Sequence, residues 1–219
     1  MVERPLHTRE VQGSIPCVPT KEDVILLSAM NLKIIFAGVS SIVGILCFIP
    51  YIRDIFLNKT KPHSYSWFIW AVLQTIAAAA MWSGGAGVAI ASSVIGAVLC
   101  GFIFILSLKR GTKNVTRFDT VCLLGALIAL TVYLFLHNPL LSIIFATLTD
   151  VIGSLPTLRK AYLEPDTETA STHLLSGASG AFAIAAIANF TLTTSLYLLT
   201  VTAMDTFCGL LVLARKKLL

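Results

Sequence analysis

Two acidic residues stand alone inside long apolar runs of this sequence. Asp150 is the only Asp, Glu, Lys or Arg between positions 120 and 158, and Asp205 is the only one between positions 170 and 214. A charged group inside an apolar run is costly to desolvate and usually marks a function, such as proton transfer or cation binding. We therefore predict a coupling or cation site at these two acids. The alternative is that each is a neutral structural group, hydrogen-bonded to neighbouring threonines.

A second candidate group combines an indole with an amide. Trp70 and Gln74 are four residues apart, so a helix places them on one face. An indole can stack on a small polar solute and an amide can hydrogen-bond to it, so both residues are predicted to bind substrate. Trp67 and Trp82 lie near the two ends of the same apolar run, where they are predicted to anchor the helix at the membrane surface.

The sequence offers no motif of a soluble enzyme or of a metal site. It contains no zinc-type cluster, no GxSxG or HExxH motif and no glycine-rich phosphate loop. The histidines His63, His137 and His173 fall at predicted helix ends and are interpreted as interfacial rather than as ligands. We therefore expect no catalytic residue, cofactor or metal, and a carrier or receptor rather than an enzyme.

The elements that must position these residues follow from composition. The chain has 219 residues, of which 56% are hydrophobic and 12% charged, whereas soluble domains have about 25% charged residues. The net charge of +5 is divided into short clusters between apolar runs, which favours a membrane topology over nucleic-acid binding. The expected partners are the lipid bilayer and a small-molecule substrate, with a homo-oligomer also possible.

The apolar runs predict an all-α integral membrane protein with seven spans, because a bilayer core needs roughly 20 apolar residues per helix. Residues 1–33 are predicted to be a flexible tail. The predicted spans are one helix at about 34–56, two within 64–108 separated at 83–87, two within 120–158 separated at 137–139, and two within 170–214 that turn near Asn189. At 1.5 Å per residue, Asp150 and Asp205 then lie about 14 to 15 Å from the basic residues Arg159 and Arg215.

An internal repeat accompanies these spans. A shift of 106 residues places Pro50 on Pro156 and Arg53 on Arg159, and it brings the 83–87 turn near Asn189. The predicted units are a first triple-helix bundle at 34–110, a linker helix within 111–139 and a second bundle at 140–216. This is a 3+1+3 parallel repeat about an axis along the membrane normal.

These features resemble the PQ-loop superfamily, which includes the SWEET sugar facilitators and the lysosomal cystine and basic amino-acid carriers. The resemblance rests on a proline near the inner end of the first helix of each unit, a basic residue soon after it, and a polar loop leading to a Ser/Thr-rich helix start. Tyr51 and Thr157 stand where the family usually has a glutamine after this proline. The resemblance covers about 34–216.

The resemblance implies a pocket between two bundles that opens alternately to each side, with Pro50 and Pro156 as hinges. The alternative is that these prolines mark helix ends. SWEET-like pockets use tryptophan and asparagine from both halves, so Ser176, the repeat equivalent of Trp70, and Asn189 join the predicted substrate-binding residues. The expected function is transport of a small polar or charged metabolite, such as a sugar, an amino acid or a vitamin-like compound. The alternative is a receptor of the KDEL-receptor type, which binds a peptide or small ligand without transport.

The distribution of basic residues predicts the orientation in the cell (inner or plasma) membrane. Of the sixteen Lys and Arg, twelve fall in the segments after helices one, three, five and seven, and the turns between the other helices carry no charged residue. The positive-inside rule then places the amino terminus outside and the carboxyl terminus in the cytoplasm.

A reporter enzyme fused after Leu219 tests this orientation. A reporter that is active only in the cytoplasm should be active there, and one that is active only outside should be silent. Fusions at the 83–87 turn should give the opposite pattern. Outside activity of the full-length fusion would contradict either the seven-span count or its orientation.

Overall fold

The computed structural model describes residues 21–58, 62, 64–111, 117–163, 165 and 170–218. These residues are helical and include no strand. In chain order the helices are α1 (Lys21–Phe56), α2 (Ser64–Ser83), α3 (Ile90–Arg110), α4 (Arg117–Leu136), α5 (Pro139–Leu163), α6 (Ala170–Ala185) and α7 (Leu192–Leu218). A short 3₁₀ turn at Gly87–Ala89 leads into α3.

Four of these helices are long and apolar enough to cross a membrane. The stretches that meet this condition are Leu27–Arg53, Ser66–Ser83, Gly87–Arg110 and Leu192–Leu218. Shorter apolar stretches occur in α4 and α5, at Leu123–Phe135 and Pro139–Leu155. Large apolar side chains such as Val98 and Phe207 are exposed, as expected for helices whose outer faces contact lipid. The helices are thus compatible with a multi-pass membrane protein.

The first helix is longer than the sequence predicted. Residues 21–33 were expected to belong to a flexible tail, but α1 begins at Lys21, thirteen residues before the predicted start at 34. This segment contains neither proline nor glycine, so nothing in it interrupts a helix. The first 20 residues of the predicted tail lie outside the described residues, as does His63.

The predicted turns have clear local causes. Gly85 and Gly87 adopt positive φ angles of 76° and 65° between α2 and α3, a conformation that glycine adopts without steric cost. At the next turn, the Asn138 side-chain oxygen accepts a hydrogen bond from the Leu141 amide at 3.0 Å and caps the start of α5. Pro139 occupies the first position of α5, where the missing amide hydrogen is not needed.

The helices pack in a pattern that repeats along the chain. Helix α3 packs against both α1 and α2, and α7 packs against both α5 and α6. Between these groups, α1 packs against α6 and α2 against α5. The shift of 106 residues relates α1 to α5, α2 to α6 and α3 to α7. The contact of α2 with α7 therefore corresponds to the contact of α6 with α3. Helix α4 packs against α5 and α2.

An arginine ties the end of the third helix to the end of the first helix in each group. The Arg110 guanidinium donates a hydrogen bond to the Phe56 carbonyl oxygen at 3.3 Å and lies 5.2 Å from the centroid of the Phe56 ring. Arg215 donates to the Tyr162 carbonyl oxygen at 3.0 Å and lies 4.3 Å from the Tyr162 ring centroid. Phe56 and Tyr162 are 106 residues apart, which is the repeat shift.

Replacement of either arginine should destabilise the protein by a similar amount. Arg110→Ala and Arg215→Ala each remove one hydrogen bond to a helix-terminal carbonyl and one cation–π contact, together worth about 1 to 2 kcal/mol. The measurement is the melting temperature of the purified protein in detergent. Lys217→Ala removes a positive charge at the same helix end and is the control. Equal melting temperatures for Arg215→Ala and Lys217→Ala would contradict this role.

Candidate functional site

Asp205 lies at the middle of α7, thirteen residues from Leu192 and thirteen from Leu218. One carboxyl oxygen lies 3.1 Å from the His173 Nδ1 atom. The other accepts a hydrogen bond from the Ser176 hydroxyl at 2.5 Å. Both partners belong to α6, so the Asp205 carboxyl links the two helices of the α6–α7 hairpin through both of its oxygens.

Asp150 occupies a different environment near the middle of α5. The residue is only 8% exposed, and within the described part of the chain no side chain or amide hydrogen-bonds to its carboxyl group. Ile143 and Ala146 lie seven and four residues before it, on the same helix face. Ile143 packs with Ala77 of α2, so Asp150 faces the protein interior.

The two acids belong to one polar centre. The charge of Asp205 acts on Asp150, and both acids act on the buried Tyr197 hydroxyl. The Asp150 charge also acts on the Cys100 thiol of α3, and the Asp205 charge acts on the Cys47 thiol of α1. Residues of α1, α3, α5 and α7 therefore lie within range of these two charges.

Trp70 and Gln74 lie on α2, which packs against α5. Trp70 is half-buried and packs against the apolar cluster that contains Leu73 and Ala146. The amide of Gln74 lies against Gly96, where a Cβ atom would be 2.8 Å from the Gln74 Nε2 atom. A side chain at position 96 would therefore displace this amide.

A similar arrangement occurs in the second half with the roles of the two helices exchanged. The Thr202 hydroxyl lies against Gly180, and the 106-residue shift places Gln74 on Gly180 and Gly96 on Thr202. In each half a polar side chain thus fills the space left by a glycine on the neighbouring helix. Among the described residues, the Thr202 hydroxyl is the one fully buried side-chain polar atom without a hydrogen-bond partner.

A pair of serines connects the two groups of helices. The Ser40 hydroxyl donates to the Ser179 carbonyl oxygen at 2.8 Å, and the Ser179 hydroxyl donates to the Ser40 carbonyl oxygen at 2.8 Å. Both side chains are buried. This reciprocal pair joins α1 to α6 beside Gly44, where a Cβ atom would lie 3.0 Å from the Ser179 hydroxyl oxygen. Small residues thus allow the close helix approach that this pair requires.

The other two predicted substrate-binding residues, Ser176 and Asn189, contact other parts of the structure. Ser176 hydrogen-bonds to Asp205, so its hydroxyl already serves the α6–α7 contact. Asn189 is exposed in the turn after α6, and its side-chain amide lies against Gly85. Asn189 is therefore at the end of the helices, about half a helix length from the polar centre.

The predicted membrane anchor at Trp67 is wrong. Trp67 is only 8% exposed, its indole donates a hydrogen bond to the Tyr51 hydroxyl at 3.3 Å, and its ring packs edge-on against Trp70 with centroids 5.2 Å apart. The hydrogen-bond partner on α1 makes burial of the indole favourable. Trp82, in contrast, is 73% exposed, which agrees with an anchoring role.

Sequence reasoning also missed the partner of Asp205. His173 was expected at a membrane surface, yet its ring contacts this carboxyl. A signal was present, because His173 and Asp205 lie sixteen residues before and sixteen after Asn189, at the predicted turn. Residues equidistant from the turn face each other in a hairpin of antiparallel helices.

The structure excludes one interpretation of the prolines. Pro50 lies inside α1, which continues for six residues to Phe56. Pro156 lies inside α5, which continues for seven residues to Leu163. The prolines therefore do not mark helix ends.

Comparisons with protein-family models, with curated proteins and with solved structures gave no match to this chain. The likeness to the PQ-loop superfamily accordingly remains a prediction from the sequence motifs. Function must be argued from the site and from the packing of the helices.

The link between His173 and Asp205 predicts coupled stability changes. Asp205→Asn and His173→Ala should each lower the melting temperature, but the double variant should be little less stable than either single variant, because each substitution breaks the same contact. A coupling energy of about 1 to 3 kcal/mol is expected for a hydrogen bond to a charged group. Asp205→Asn combined with Ser83→Ala, a distant pair, should be additive. Additive losses for His173 and Asp205 would contradict the link.

Proposed function

We propose that this protein is a membrane transporter that moves a small polar or charged metabolite by alternating access between two three-helix units. The units are α1 to α3 and α5 to α7, with α4 as the linker, in the 3+1+3 arrangement that the PQ-loop resemblance implies. The polar centre around Asp150 and Asp205 is the proposed substrate and coupling region.

The observation that carries this proposal is the matching set of helix contacts. In each group the third helix packs against the first and the second, and the groups meet through α1 with α6 and α2 with α5. A parallel repeat about an axis along the membrane normal predicts these exchanged pairs. An arginine near the end of the third helix bonds to Phe56 in one group and to Tyr162 in the other. Phe56 and Tyr162 are related by the shift of 106 residues, and the two arginines are 105 residues apart, which supports the same relation.

Packing also supports seven spans, including those formed by the shorter helices. Helix α6 has 16 residues, or about 24 Å at 1.5 Å per residue, which is shorter than a bilayer core. It packs against α1 and α7, both of which contain stretches long enough to span. A helix packed alongside spanning helices shares their layer, and its backbone is satisfied internally. The proposed orientation has the amino terminus outside and the carboxyl terminus in the cytoplasm.

The depth of the polar centre favours a transporter over a one-sided receptor. Asp205 lies about 20 Å from either end of α7 at 1.5 Å per residue, and Asp150 is similarly central in α5. A solute that reaches this centre from one side needs a rearrangement of the two units to leave on the other. Pro50 and Pro156 each remove one backbone hydrogen bond within a helix, so α1 and α5 can bend at these points while Arg110 and Arg215 hold their ends.

Uptake into liposomes tests the proposal. The purified protein is reconstituted, and saturable uptake and counterflow of labelled sugars, amino acids and vitamins are measured against protein-free liposomes. Uptake of at least one compound is expected. A compound that stabilises the protein against heat but is never taken up would contradict transport and favour the receptor alternative.

If the prolines are hinges, their replacement should slow the exchange between the two states. Pro50→Ala and Pro156→Ala each restore one helix hydrogen bond, worth about 1 kcal/mol, so each should slow uptake by about fivefold without loss of substrate binding. Pro139→Ala changes a proline at a helix start and is the matched control. Uptake at the wild-type rate in the Pro50/Pro156 double variant would contradict the hinge.

A further inference from the structure

The two central acids differ in what their carboxyl groups already bind. The Asp205 side chain is 25% exposed, and its two oxygens are occupied by His173 and Ser176 of α6. Asp150 is only 8% exposed, and no hydrogen bond to its carboxyl group exists within the described part of the chain. Asp205 therefore serves the α6–α7 contact, whereas Asp150 retains its full capacity to bind.

A carboxylate that is largely buried and accepts no hydrogen bond is unfavourable unless a positive charge or a proton compensates it. Lysine and arginine do not occur near Asp150 on its own helix; the nearest basic residue along α5 is Arg159, nine residues away. The charge that acts on Asp150 is that of Asp205, which is itself an acid. Among the described residues, no cationic side chain pairs with this carboxyl group.

Aromatic side chains flank the face of α5 that carries Asp150. Ala146, one turn before Asp150, belongs to the apolar cluster against which Trp70 packs. Ile143, two turns before it, packs in a cluster with Tyr197 of α7. The Asp150 face therefore lies between helices that contribute an indole from one side and a phenol from the other.

We infer that Asp150, together with Trp70 and Tyr197, forms a binding site for a small organic cation that carries an ammonium group. The carboxylate would neutralise the charge of the ligand, and the aromatic rings would stabilise its ammonium group by cation–π contact. A metal ion suits this centre less well, because no group of three metal-ligating side chains occurs among the described residues. The inference rests on the proposed function in that this ligand would be the substrate of the carrier.

Two probes of equal shape separate charge from size. Choline carries a trimethylammonium group, and 3,3-dimethylbutan-1-ol replaces this group with an uncharged tert-butyl group. Choline should raise the melting temperature of the purified wild-type protein in detergent, because a ligand that binds the folded state stabilises it. The neutral alcohol should not. An equal shift with both compounds, or no shift with choline, tetramethylammonium or ethanolamine, would overturn the inference.

Variants assign the effect to Asp150. Asp150→Asn should abolish the choline shift, whereas Ser83→Ala, at an exposed position whose hydroxyl bonds only to its own helix, should keep it. Trp70→Leu leaves both acids in place and should weaken choline binding at least about fivefold, which corresponds to a cation–π contact of roughly 1 kcal/mol. If Asp150→Asn does not fold, the Trp70→Leu variant still tests the inference. A full choline shift in Asp150→Asn or in Trp70→Leu would overturn it.

Liposome uptake separates this inference from the proposed function. If choline binds through Asp150 but is not taken up, the cation site is supported and the transport proposal is contradicted. If the wild-type protein does not bind choline, yet takes up a neutral solute at a rate that Asp150→Asn leaves unchanged, the transport proposal is supported and the cation site is contradicted.

Discussion

The desolvation of two carboxyl groups is the constraint on which the centre of this structure depends. In lipid, a polar side chain must be hydrogen-bonded, neutralised or enclosed by protein. Helix α7 meets this requirement at Asp205 by packing against α6, which supplies His173 and Ser176. Helix α5 meets it at Asp150 only by enclosure among α2, α4 and α7. The first acid is therefore a structural link, and the second is the chemically open group of the centre.

The two halves share a backbone plan but not a set of polar side chains. Their helix contacts correspond, and Arg110 and Arg215 close the ends of α1 and α5 in the same way. The shift of 106 residues nevertheless places Gly44 and Leu99 on Asp150 and Asp205. At these two pairs of equivalent positions, only the second half carries acids.

The interface between the units is closely packed through small residues. Ser40 and Ser179 exchange hydrogen bonds across α1 and α6, and Gly44 on α1 lies against the Ser179 hydroxyl of α6. Interfaces of this kind are held by short contacts rather than by large interlocking side chains.

The sequence by itself determined the elements, because the lengths of apolar runs and the positions of glycine and proline are local properties. The all-helical class, the turns at 83–87 and 137–139 and the central positions of Asp150 and Asp205 in their helices could be predicted in this way. The start of α1 at Lys21 was missed, since the absence of helix breakers does not fix where a helix begins. The tertiary structure alone decided the partners of each side chain. Two examples are the contact of His173 with Asp205 and the burial of Trp67 against Tyr51. Both depend on which helices pack together and on how each helix is rotated about its axis. The periodicity of a single segment does not encode its contacts with a distant segment.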